Sequence, residues 1–240
     1  MKTWKVFLQK ILAQKGIYVT KKLHPNDFTI VTRILQELIK DAKGVLHIGA
    51  HLGQEASFYE KCKVPVIWFE ASPHIFPKLQ ENIKDYKNQR AILQLLGDQN
   101  DILVKFRISS NDGASSSIYD ISPTENSLFT FDESIDLKMK RLDSIPETQQ
   151  IKSLKHWVID VQGAEIAVLK GAGDLINYCN SIFIEVKRTS TYIGGSTWSE
   201  IVKFLREKGF IYLWEVNAED EDNIIFVRVQ NRITEKENRL

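Results

Sequence analysis

Short runs of consecutive apolar residues alternate along the chain with stretches whose apolar positions recur every three to four residues. Apolar runs at 45–48, 66–69, 91–96, 157–159 and 181–186 read as strands. They show no polar alternation, which is how strands covered on both faces look. Between them lie helical patterns. Residues 28–40 place Ile30, Ile34, Leu35 and Leu38 on one face behind a cap at Asn26 or Asp27. A second helix follows Gly53, a third spans 76–86 with Leu79 and Ile83 inward, a fourth starts at 164, and 198–208 ends at Gly209. The rhythm breaks at 102–142, where extended segments at 102–108 and 135–142 flank a Ser/Asn/Gly-rich loop at 109–117. Segments 212–216 and 224–229, joined by the acidic stretch 219–222, read as an antiparallel pair closing the sheet. The expectation is one α/β domain with a Rossmann-like, seven-stranded, mainly parallel sheet and an antiparallel last strand. A helical extension at 1–43, a β-rich insertion at 102–142 before the fourth strand and a polar tail at 231–240 complete it.

Composition narrows the partners. The 240 residues carry 32 Lys and Arg against 31 Asp and Glu, and this balance argues against a nucleic-acid binder. Cys62 and Cys179 form neither a metal-ligand spacing nor a disulfide framework, so a reducing, cytoplasmic setting and no metal are expected. Residues 1–22 hold six lysines and no acid, with Trp4, Phe7, Leu8, Ile11 and Leu12 at helical spacing. That segment reads either as an amphipathic helix packed on its own domain or as a basic face for weak peripheral contact with an anionic membrane. A homodimer through the insertion or the N-terminal helix is a guess.

In an open α/β sheet, ligands bind beyond the carboxyl ends of the strands. The residues there are Gly49, Ala50, His51, Gly53 and Gln54 after the first strand, and Glu70, Ala71 and Ser72 after the second. Gly97 and Asp98 follow the third, Asp160 and Val161 the fourth, and Glu185 ends the fifth. A glycine turn, then an acid about twenty positions on, is the layout of a nucleoside site in which the acid takes the ribose hydroxyls. A dinucleotide needs further glycines where His51 and Gln54 stand, so S-adenosyl methionine, which brings a carboxylate and no phosphate, fits better.

These residues resemble the FkbM-type methyltransferases. The resemblance rests on the stretch from Val45 to Gly53, on Trp68 to Pro73, on the Gly113–Ser117 loop and on Leu142-Asp143. It rests above all on the Asp-x-x-Gly-x-Glu block at Asp160, Gly163 and Glu165, followed by Leu169 to Ala172 and by Ile184 to Val186. Val158 stands where that family usually carries Lys, so no role of that Lys transfers. The resemblance implies an S-adenosyl methionine-dependent O-methyltransferase acting on a hydroxyl of a saccharide or natural-product acceptor. By position, Gly49, Ala50, Gly53 and Gln54 hold the methionine part, Glu70 the ribose and Asp98 the adenine edge, with Asp160 near the transferable methyl. His51, Ala71, Ser72, Gly97, Ser116 and Val161 complete the expected cofactor contacts.

Methyl transfer to a hydroxyl needs a group that takes its proton. The candidates are Asp160, Glu165, Glu185 and a histidine, with Asp160 and Glu185 preferred as catalytic. Glu165 reads equally as a first-turn helix acid, and His47 as a core residue. The 192–195 loop, with Tyr192, reads as a flexible aromatic platform for a sugar or as a connector. Two rivals stand beside this reading, an NAD(P)-dependent oxidoreductase and a non-catalytic scaffold of the same fold.

Overall fold

The computed structural model describes residues 28–122, 129–187, 191–217 and 221–229. Residues 1–27 and 230–240 lie outside the described residues, and with them fall the helix cap at 26–27, the basic segment and the polar tail. In chain order the elements begin with α1 (Phe28–Ala42), β1 (Val45–Ile48), α2 (Ala56–Cys62), β2 (Val66–Glu70), α3 (Phe76–Ile83), β3 (Gln89–Leu93) and β4 (Leu95–Leu96). Then come β5 (Leu103–Ser109), β6 (Phe131–Lys140), α4 (Thr148–Ile151), β7 (His156–Ile159), α5 (Glu165–Gly171), β8 (Ser181–Lys187), α6 (Trp198–Glu207), β9 (Phe210–Asn217) and β10 (Glu221–Arg228). No described helix is long and apolar enough to cross a membrane.

Seven strands form one sheet in the order β3-β2-β1-β7-β8-β10-β9. All neighbours in it are parallel except β10, which runs against both β8 and β9. The doubly apolar strands predicted this architecture because each is covered on both faces. Val45, Val66, Trp68 and Val158 pack toward α1, α2 and α3 with Ile39, Tyr59 and Leu79. The alternate residues Leu46, Ile48, Phe69, Trp157 and Ile159 pack toward α5 and α6 with Val168, Leu169 and Ile201. The period of two along a strand thus divides the core into two layers. Helix α6 starts at a capping box, Thr197 and Glu200 each bonding the other's backbone N–H, and stops before Gly209 at φ +82°.

The apolar run at 91–96 is two elements rather than one strand. β3 begins earlier, at Gln89, and ends at Leu93; Leu95 and Leu96 leave the main sheet to pair with Met139 and Lys140 of β6. They join β5 and β6 in a second, three-stranded sheet whose small core is Leu95, Phe106 and Met139. Gln94, the one polar residue of the run, is where the break falls, and the apolar residues on either side do not reveal it because both sheets demand the same residue types.

Chain connections leave β1 toward β2 on one side while β7 pairs with it on the other. A crevice forms at such a reversal, beyond the carboxyl ends of β1 and β7.

Candidate functional site

A cleft of about 640 Å³ opens at that point. Its first wall is the turn after β1. The amides of Gly49 and Ala50 both donate to Phe69 O, at 2.9 and 3.0 Å, folding the chain sharply over the end of β2. Gly49 has φ +86°, and a Cβ there would lie 1.7 Å from the carbonyl oxygen of Asp160, so only glycine lets the two strand ends meet. His51, itself left-handed at φ +46°, donates its backbone N–H to Glu70 Oε2 at 2.8 Å. Its ring spans outward: Gln54 Nε2 donates to Nδ1 at 2.9 Å, and Nε2 lies 3.1 Å from Asp112 O. The carbonyl partner requires Nε2 to carry the proton, which leaves Nδ1 to accept from Gln54.

Glu70 forms the floor. Its other oxygen accepts the Ser72 N–H at 2.7 Å. Burial raises its pKa, and the N–H groups of Ser72 and His51 pull it back down. Each oxygen keeps a lone pair beyond its backbone partner, the equipment for gripping a pair of hydroxyls. Ala71 also lines the cleft, whereas Ser72 is buried behind it, and its own Oγ has no partner among the described residues.

Several expected contacts lie elsewhere. Ala50 is buried, Gly53 faces Leu79 and Ile83 of α3, and Gln54 acts through His51; none of the three lines the cleft. Gly97 and Asp98 are displaced as well. Gly97 packs against Met139 and the backbone of Gly171, and Asp98 O accepts from Arg141. The break after β3 moves the cleft position three residues back, so Gln94, Leu95 and Leu96 stand there instead. With Phe69, Phe106 and Ile118 these leucines make an apolar slot.

The loop at 109–117 folds over the cleft and contributes Gly113, Ala114 and Ser116. Ser116 Oγ donates to Gly113 O at 2.8 Å and accepts from Ser109 N at 3.1 Å. Ser117 Oγ donates to Gln162 O at 2.7 Å, tying the loop to the turn after β7.

That turn brings the candidate acids together. Asp160 and Val161 line the cleft as expected, and Glu185 reaches the same point from β8. Asp160 and Glu185 bring their carboxyl groups together at one donor, the side-chain amide of Gln162. Burial raises the Asp160 pKa, and the charges of Glu165 and Glu55 act in the same direction. Gln162 Nε2 bonds both acids, at 2.7 Å to Asp160 Oδ1 and 3.1 Å to Glu185 Oε2. On the far side of Gln162 lies a second cleft of about 280 Å³, lined by Glu165, Glu185, Thr191, Tyr192 and Ser196.

Glu165 is buried, and its Oε1 accepts from Gly163 N at 3.0 Å and Val161 N at 3.4 Å. Burial pushes its pKa up to about 7. It ties the turn together rather than facing the main cleft. His47 is a core residue, stacked on Trp68 with Nδ1 3.0 Å from Tyr59 Oη, and burial takes its pKa down to about 3. Tyr192 is not an exposed platform. Its ring is buried against Gly163 and its hydroxyl stands 2.8 Å from Gln162 Oε1 and 3.0 Å from Ser115 O. Among the described residues, no group of three or more His, Cys, Asp or Glu side chains is placed to hold a metal ion.

The sequence matches the Methyltransferase FkbM domain family over residues 47–212. A comparison with curated proteins found no match. Among solved structures, fibrillarin of Aeropyrum pernix, in complex with natively bound S-adenosyl-L-methionine, is similar at 14% identity with a TM-score of 0.50. The alignment covers 83% of this chain and 74% of that one. Magnesium protoporphyrin IX methyltransferase from Synechocystis PCC 6803, with bound SAM, aligns at 11% identity and a TM-score of 0.46, over 94% and 97% of the two chains. At these identities the fibrillarin likeness is one of fold.

Proposed function

The chain belongs to the FkbM methyltransferase family, and we propose that it methylates a hydroxyl group of a saccharide or natural-product acceptor. The observation that carries this reading is the pairing of Asp160 and Glu185 on one amide, Gln162 Nε2, where the large cleft meets the small one.

The large cleft fits S-adenosyl methionine on its own chemistry. Glu70 offers paired acceptors for a ribose, and the slot of Leu95, Leu96 and Phe106 suits a flat base. Glu70 and Asp160 make the lining acidic, and no Lys or Arg is among its described residues. That charge suits a sulfonium and leaves a pyrophosphate without a partner, which argues against a nicotinamide dinucleotide. Bound there, S-adenosyl methionine supplies a methyl group made electrophilic by its positive sulfur. Gly49 and His51 would hold its amino-acid end and Glu70 its ribose.

The protein's own work is to place an acceptor oxygen and remove its proton. Two carboxyl groups this close favour holding one proton between them, which leaves one negative charge, so the pair can take a second proton from an attacking hydroxyl. Both acids are half-buried, which keeps bulk water from competing as the proton acceptor. An amine acceptor would need a neutral nitrogen held beside this negative pair, where the pair favours the ammonium form instead.

The reading is tested by incubating the protein and S-adenosyl methionine with methyl glycosides, polyols and phenols, and with matched amines. Mass spectrometry then locates the added methyl. Methyl on oxygen is the expected result, and transfer confined to nitrogen or carbon overturns it.

A further inference from the structure

Gln162 lines both clefts, and its side chain stands between them. Its backbone is fixed, since Ser117 Oγ holds its carbonyl at 2.7 Å and its φ is +51°, so the side chain alone has freedom to move. The amide nitrogen donates to Asp160 Oδ1 and Glu185 Oε2, one oxygen of each acid and the point where the two acids meet. While the amide is there, a reacting hydroxyl cannot bond both acids at that point.

The other end of the amide is arranged for release. Tyr192 has one hydroxyl hydrogen and two acceptors in reach, Gln162 Oε1 at 2.8 Å and Ser115 O at 3.0 Å. If Gln162 turns away, Tyr192 donates to Ser115 without moving, and no buried donor is left unsatisfied. At the carboxyl pair, an arriving hydroxyl would replace an N–H donor with an O–H donor, so the exchange conserves hydrogen bonds there too.

We infer that Gln162 is a positioning residue for methyl transfer: its amide holds the Asp160–Glu185 pair together and keeps the place that the acceptor hydroxyl takes, leaving by an exchange that Tyr192 accommodates. The role rests on the proposed hydroxyl chemistry, and its test needs no turnover. The groups facing Asp160 are Glu185 from β8, Glu165 from α5, Glu55 from the turn before α2, and Tyr192. Glu165 and Glu55 raise its pKa and the Gln162 amide lowers it.

The experiment follows the ¹³C-labelled carboxyl of Asp160 by NMR through a pH titration, with Asp160→Asn assigning the signal. Gln162→Ala is expected to move the midpoint upward, with Tm and the thermal shift given by S-adenosyl homocysteine retained. Adding acetamide should bring the midpoint back, and so should glycerol, because each donates into the vacated place. Gln162→Met, close in size but without donors, is the second variant should the alanine protein not fold, and its midpoint should also rise. An unmoved midpoint in the folded variants overturns the clamp. Rescue by acetamide but not glycerol shows that the place admits no hydroxyl and overturns the exchange. Success here with no O-methylation of the acceptor panel would refute the proposed function while leaving the clamp intact.

Discussion

Gly49 and Asp160 meet backbone to backbone where β1 and β7 end, so closely that a methyl group on Gly49 would stand 1.7 Å from the Asp160 carbonyl oxygen. The contact joins the turn that shapes the large cleft to the turn that carries the carboxyl pair. Gly49→Ala therefore acts on both. It combines a steric overlap with a backbone angle that L residues rarely adopt, together at least ~2 kcal/mol. The expected result is a lower Tm with no thermal shift on adding S-adenosyl homocysteine. An alanine variant that binds normally would show that the two turns are not coupled.

A second glycine tests packing away from the cleft. A Cβ on Gly171, at the end of α5, would lie 1.8 Å from Gly97 O. Gly171→Ala should cost about 2 kcal/mol, a fall of roughly 4–8 °C in Tm for a chain of this size. Because Gly97 lies outside the cleft, affinity for S-adenosyl homocysteine measured below the transition should hold.

Asp160→Asn removes the charge from the carboxyl pair while keeping its shape. Turnover should fall by about 10²–10⁴, the usual worth of a positioned base, with the dissociation constant for S-adenosyl homocysteine little changed. Equal losses in both would make Asp160 a binding group only.

Stability should depend on pH through three buried groups. His47 and His156 have pKa values taken from 6.5 down to about 3 by burial. The unfolded chain therefore binds protons that the native rings refuse. Their stabilisation is complete above pH 6.5 and is lost as pH falls toward 3, by ~1.4 kcal/mol per pH unit for each ring. Glu165 works in the opposite sense, since its pKa is raised from 4.5 to about 7. The native state holds a proton that the unfolded chain releases, so this stabilisation is full below pH 4.5 and lost as pH rises through 7. Glu165→Gln keeps the acceptor for Gly163 and Val161 but removes the titration. Urea midpoints measured between pH 6.5 and 4.5 should then fall more steeply on acidification than in the native protein. Parallel curves would mean that Glu165 titrates normally.

Much of this was legible in the sequence because the strands are buried on both faces. Val45–Ile48 and His156–Ile159 present four buried residues each, and nothing but a covered parallel strand explains such runs between helical patterns. Glu70, Asp160 and Glu185 were placed by the rule that chemistry sits at strand ends. The errors have local causes. Leu95 and Leu96 are apolar in either sheet, so the polar Gln94 was the single mark of the break, and Gly97 and Asp98 were put in the cleft when they belong to the packing of β6 and α5. Phe106 reaches the cleft from β5 of the second sheet and Ile118 from just beyond the 109–117 loop, tertiary placements with no periodic trace. Gln162 lay inside the Asp-x-x-Gly-x-Glu block, and its spacing gave no sign that the side chain would bridge two acids. Tyr192 was read as a platform for a sugar or as part of a connector, whereas Gly163 offers its ring a buried seat.

The most direct test of the account is a thermal-shift titration with S-adenosyl methionine, S-adenosyl homocysteine, NAD and NADP in parallel, on protein first shown to carry no ligand. A compound at 100 times its dissociation constant stabilises by about 2.7 kcal/mol, a rise of several degrees. The account predicts that rise with the two adenosyl compounds and none with the nicotinamides, and it predicts that Glu70→Ala abolishes the rise. A shift with NAD or NADP alone would contradict it.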